Sequence, residues 1–136
     1  MTPIFVDTGA FVALVDRTDR RHAGAKQFLR KLARAHRPLL TSTYVVDEVL
    51  TLVRMRLGHV VAVEVGERLL QTQWCRVVEV GEETRLAAWH LFVRYDDQPF
   101  SFTDCTSLAL MHAMDVPEAF TFDRRDFGAA GFVVRP

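Results

Sequence analysis

The chain has 136 residues, 49% hydrophobic and 25% charged, a composition that predicts one globular domain spanning residues 1–136. Seventeen basic residues balance seventeen acidic ones, so no overall field attracts nucleic acid and any such contact must come from a local patch. Cys75 and Cys105 are too few for a disulfide framework, no long apolar run marks a membrane span, and Met1-Thr2-Pro3-Ile4 has no secretory character, so a reduced, cytoplasmic protein is expected.

In chain order, Pro3 to Asp7 reads as a short buried strand stopped by Thr8-Gly9, and Ala10 to Val15 as a short apolar helix. Asp19 can cap a longer helix from Arg20 to Ala35, whose apolar stripe is Ala25, Phe28, Leu29 and Leu32. Pro38 to Thr41 is a second strand. Ser42 or Thr43 then caps a helix to Leu57, with Gly58 as its stop. His59 to Thr72 is helical, Cys75 to Val80 a strand, and Glu82 to Tyr95 a helix. After the polar loop Asp96-Asp97-Gln98-Pro99 come a helix from Thr103 to Met114, a strand from Glu118 to Phe122 and a last strand from Phe132 to Val134. This alternation predicts an α/β fold, a mostly parallel sheet of about five strands with helices on both faces.

Four carboxylates interrupt segments that otherwise read as core: Asp7, Glu48, Asp104 and Asp123. Packing does not ask for a charge at such places, and an unpaired buried carboxylate costs several kcal/mol or shifts its pKa. Each has a structural reading on its own. Asp7 can cap a turn, Glu48 can be a partly solvated helix residue, Thr103 can cap a helix with Asp104 favouring its dipole, and Asp123 can cap the turn that follows. Together they fall at strand ends or in the first turns of helices, which a parallel sheet brings to one edge. Hard oxygen ligands converging there suit Mg²⁺ or Mn²⁺. Of the adjacent pair Asp47 and Glu48, Glu48 shares a helix face with Val45, Leu52 and Met55 and is predicted to point inward, while Asp47 is expected to pair with Arg54 or meet water. Asp126 is a secondary candidate beside Asp123. The five histidines show no close ligand pair, and only Lys26 and Lys31 of the 17 basic residues are lysines, the rest being arginines suited to phosphate contacts.

Val6-Asp7-Thr8-Gly9-Ala10, then Glu48, Ser101-Phe102-Thr103-Asp104-Cys105 and Thr121-Phe122-Asp123-Arg124-Arg125-Asp126-Phe127 together resemble the PIN-domain family, and within it the VapC-type toxins of toxin–antitoxin pairs. The order, spacing and length carry the resemblance, which runs from Pro3 to the C-terminus. It implies a three-layer α/β/α fold and a Mg²⁺- or Mn²⁺-dependent endoribonuclease neutralised by a cognate antitoxin protein. It carries Asp7, Glu48, Asp104 and Asp123 over as catalytic and metal-holding acids, with Thr103 as the hydroxyl beside the third. Hydrolysis by metal-activated water would then leave a 5′-phosphate and a 3′-hydroxyl.

Competing readings are a catalytically silent scaffold of the same fold and, through Asp7-Thr8-Gly9-Ala10, a retropepsin-like aspartic protease. The helical periodicity opposes the protease. A receiver-type signalling domain lacks its paired acids and its lysine here. Apolar residues beyond the needs of one packed face on Thr43–Leu57 and Glu82–Tyr95, among them Val46, Val53, Trp89 and Phe92, predict a homodimer.

Overall fold

Ile4–Val6 (β1) is buried along its whole length, as a central parallel strand covered on both faces must be. The computed structural model describes residues 1–136, and in it β1 lies in the middle of a five-stranded, all-parallel sheet of order β3-β2-β1-β4-β5. The other strands are Leu39–Ser42 (β2), Arg76–Val78 (β3), Glu118–Phe120 (β4) and Val133–Arg135 (β5). Register is fixed by Phe5 opposite Leu40 on one side and opposite Ala119 on the other.

The seven helices are Thr8–Val15 (α1), His22–Arg34 (α2), Thr43–Leu57 (α3), His59–Leu70 (α4), Glu82–Arg94 (α5), Phe102–Ala113 (α6) and Arg124–Ala129 (α7). The chain steps outward from β1 to β2 to β3, then returns across the sheet to place β4 against the other side of β1. Right-handed crossovers in opposite directions put helices on both faces, giving the expected α/β/α layering. The strand order reverses between β1 and β4, and the crevice beyond the ends of those two strands is where such sheets bind ligands.

Local chemistry sets the element ends. The Ser42 hydroxyl accepts from the Val45 N–H at 3.2 Å and starts α3. Gly58, at φ 92°, stops α3, a conformation that costs glycine nothing. Three expectations are corrected. Ser101, not Thr103, caps α6: its hydroxyl accepts from the Asp104 N–H and the Asp104 carboxylate accepts from the Ser101 N–H, both at 3.0 Å. Asp19 does not cap α2 directly; it accepts from the N–H of Arg21, the residue that precedes the helix. The strand expected to reach Phe122 ends at Phe120, and a short helix, α7, follows Asp123.

The core is a cluster of 29 buried residues that includes Phe5, Leu40, Val49, Met111 and Phe120, so it lies between sheet and helices rather than within one hairpin. Val46 and Val53 belong to it, against the expectation that they lie on a free surface. Trp89 and Phe92 do lie outside, 51% and 42% exposed, and stack on each other. No helix is long and apolar enough to cross a membrane.

Candidate active site

Asp7 leaves the end of β1 and precedes α1, buried to 7% exposure. Its carboxylate accepts a hydrogen bond from the Thr121 hydroxyl at 2.8 Å, and the same hydroxyl accepts from the Asp123 N–H at 3.0 Å. Thr121 thus ties the ends of β1 and β4 together and orients two acids at once. Burial pushes the Asp7 carboxyl up to about 7, the Thr121 bond opposes this, and the charges of Asp104 and Glu48 add to it. Thr121 was not singled out from the sequence. Its only signal there is a hydroxyl two residues before a strand-end acid.

Glu48 lies one turn into α3, half-buried, on the wall of the cleft that Asp7 lines. Asp47 is exposed, as the face argument requires, and forms no ion pair with Arg54. The face is less uniform than expected, because Met55 is 77% exposed.

Asp104, Asp123 and Asp126 form the tightest group, with carboxylate oxygens within 4.8 Å of one another. The Asp123 carboxylate accepts from the Asp126 N–H at 3.1 Å, which starts α7 and turns the buried Asp126 back toward its neighbours. Burial, a hydrogen bond to Asp123 and the charges of Asp123 and Asp104 push Asp126 up to about 6. Asp104 is raised by burial, against the bonds from Ser101, with Asp123 and Glu48 contributing. Asp126, expected as secondary, therefore sits closer to Asp104 and Asp123 than an outer position would. Thr103 is not part of the cleft wall; its carbonyl accepts from the hydroxyls of Thr106 at 2.6 Å and Ser107 at 3.1 Å.

Asp7, Glu48, Asp104 and Asp123 all line one open cleft of about 790 Å³. The ion pairs of the molecule, Arg37–Glu118, Arg56–Asp19 and Arg135–Glu118, involve none of these four acids, although Arg56 and Asp19 line the same cleft. None of the four acids forms an ion pair, and at Asp7 and Asp104 burial raises the carboxyl first, with the charges of neighbouring acids adding to it. An all-oxygen donor set fits a hard divalent ion. Cys105, beside Asp104, is no nucleophile: burial and that neighbouring charge push its thiol up to about 11. The same cleft is also lined by Thr8, Gly9, Arg20, Arg21 and Arg56.

The pattern of the PIN domain matches residues 4–133. The chain belongs to the PIN-domain family. This PIN domain is 41% identical, over 98% of both chains, to the 23S rRNA-specific endonuclease VapC20 of Mycobacterium tuberculosis. It superposes on the crystal structure of that sarcin–ricin loop cleaving toxin with a TM-score of 0.86 at 39% identity, covering 98% of this chain and 99% of the other. FitAcB of Neisseria gonorrhoeae shares the fold at a TM-score of 0.72 and 17% identity, with 98% and 96% of the two chains covered. The DNA-bound VapBC of Salmonella typhimurium does so at 0.71 and 12%, with 99% and 98% covered. The protease reading falls with these matches, since the PIN domain is an all-parallel α/β sheet rather than a β-rich dimer half.

Proposed function

We propose that this PIN domain is a Mg²⁺- or Mn²⁺-dependent endoribonuclease, the toxin of a toxin–antitoxin pair, with ribosomal RNA as its substrate class. The observation that carries the reading is the set of carboxylates with no ion-pair partner at the β1–β4 crevice, in a chain 41% identical to a 23S rRNA-specific endonuclease. Asp7, Glu48, Asp104 and Asp123 are the catalytic, metal-holding acids of this reading, and Asp126 joins Asp104 and Asp123. Bound there, the ion supplies a water of lowered pKa and offsets the charge of the attacked phosphodiester. The chain's own part is positional. Thr121 fixes Asp7 and Asp123, the Ser101 capping bonds fix Asp104, and Glu48, from α3, lines the same cleft and would orient water there. The protein works as a single cytoplasmic domain. It associates as a homodimer through the exposed apolar face of α5, and an antitoxin silences it by offering a basic side chain to the acids.

The test is incubation of the purified chain with intact ribosomes and with extracted 23S rRNA, in Mg²⁺, Mn²⁺ or EDTA, followed by mapping of the new 5′ ends. Cleavage at a defined site, dependent on the ion and lost in Asp104→Asn, is the expected result. No cleavage of either substrate with either ion would leave the silent scaffold as the better reading.

A further inference from the structure

The cleft has lining residues that the acids do not explain. Thr8, the first residue of α1, lines it and is 4% exposed, yet its hydroxyl has no hydrogen-bond partner. Buried hydroxyls are nearly always satisfied, so an orphan on a residue that lines a cleft points to a ligand group there. The side chain of Asp7 does not cap α1, and the main-chain bonds at this end go to Ala10 and Phe11, which leaves the Gly9 N–H open. Helix starts with open N–H groups attract anions. A Cβ at Gly9 would meet nothing within 4 Å, so a bulky group can approach the backbone there.

Arg21 also lines the cleft. Its guanidinium lies over the Phe122 ring, 5.0 Å from the centroid, beside Asp123 in sequence. Its main chain is held by the Asp19 carboxylate at 2.8 Å, and the next residue, His22, bonds the Ala13 carbonyl at 2.7 Å. Arg21 forms no ion pair. A guanidinium stacked on a ring loses little freedom when it grips an oxyanion with its free N–H groups.

We propose that these cleft-lining residues form an anion subsite in which the Thr8 hydroxyl, the Gly9 N–H and the Arg21 guanidinium take non-bridging oxygens of an RNA backbone phosphate. It deepens the ribonuclease reading and rests on it. The acids repel a polyanion, so the chain needs fixed donors in the same cleft to hold the strand near them. Phe122 is the positioning residue for Arg21.

The experiment measures binding apart from turnover. Asp104→Asn serves as the non-cleaving parent, a fluorescein-labelled RNA hairpin as the probe, and anisotropy in Mn²⁺ as the readout. Adding Thr8→Val or Arg21→Ala should raise Kd about tenfold each, and Arg21→Ala should flatten the slope of log K against log salt by about 0.7. Arg21→Lys should recover only part, and Phe122→Leu should weaken binding with the charge intact. In the cleaving protein the same changes should raise KM more than they lower kcat. Thr8→Val should melt no lower than its parent, because its hydroxyl has no partner to lose. If the wild type cleaves RNA and both variants keep the parent's Kd and KM, the subsite is wrong and the ribonuclease reading stands. If nothing is cleaved but the hairpin binds through Arg21, the subsite stands and the ribonuclease reading falls. Absence of both binding and cleavage in every form overturns both.

Discussion

The Thr121 hydroxyl donates to the Asp7 carboxylate at 2.8 Å across 114 positions of sequence, joining the end of β4 to the end of β1 at the floor of the cleft. Thr121→Val keeps the shape and removes that donor. The buried Asp7 carboxyl should then titrate still higher, and the fold should lose about 1–3 kcal/mol at neutral pH, where Asp7 begins to ionise unaided. Urea melts at pH 7.5 should show the loss, and it should shrink when the double variant with Asp7→Asn is compared with Asp7→Asn alone. Equal losses in both backgrounds would mean that Thr121 acts through something other than Asp7.

The metal-free protein should weaken with rising pH because of its acids. Asp7 is held at about 7 against a usual 3.8, so between those values the native state keeps a proton that the unfolded chain has released. The stability attached to this group is fully present below about pH 4, falls as pH rises, and is gone above about pH 7, a difference on the order of 4 kcal/mol. Urea melts in EDTA from pH 4 to 8 should show the wild type losing stability relative to Asp7→Asn across this window. A constant difference between the two would place Asp7 in a less buried setting than the structure gives it.

Metal binding should reverse that trend. Protons compete with the ion for raised carboxyls, so Mn²⁺ should lift the melting temperature more at pH 8 than at pH 5.5. The lift should be much reduced in Asp104→Asn and Asp126→Asn, whose parent carboxylates lie within 4.8 Å of Asp123. Both asparagines keep the side-chain size, and at 104 the acceptor oxygen of the capping box also survives. An undiminished lift in Asp126→Asn would return that residue to a purely structural role.

Adjacent acids on α3 should differ in effect. Glu48→Gln should reduce RNA cleavage by a hundredfold or more, about 2.7 kcal/mol of barrier, whereas Asp47→Asn should change it by less than about threefold, since Asp47 is exposed and Glu48 lines the cleft. Rate measurements on one rRNA substrate decide, and a larger effect at Asp47 would reject the assignment of Glu48.

Self-association should depend on α5 alone. Leu86, Trp89, Phe92 and Val93 are all exposed on this helix. Sedimentation at micromolar concentration should find a dimer in the wild type and a folded monomer in Trp89→Glu. A wild-type monomer would sink the proposed association.

The course of the chain was legible because its strands are short apolar runs between polar or glycine stops, and the acids stood out because each breaks such a run. What was missed depends on contacts distant in sequence or on competition between neighbours. Ser101 outcompetes Thr103 as the cap because it stands three residues before Asp104, the spacing a reciprocal capping pair needs. Val46 and Val53 look surplus to a helix with one packed face, but α3 packs against α1, α4 and α6, so its buried perimeter is wider than a single stripe. Thr121 acquires its role only when β4 docks beside β1, and no local periodicity announces that event.

The placement of β4 between β1 and β5 also sets a timetable for synthesis. A chain emerging from the ribosome presents Asp7 and Glu48 early, but Asp104, Asp123 and Asp126 follow only after the whole outward half of the sheet has been made. The central seam stays open until Glu118–Phe120 arrives to close it. A nascent copy thus cannot bring its carboxylates together until the end of its synthesis is near.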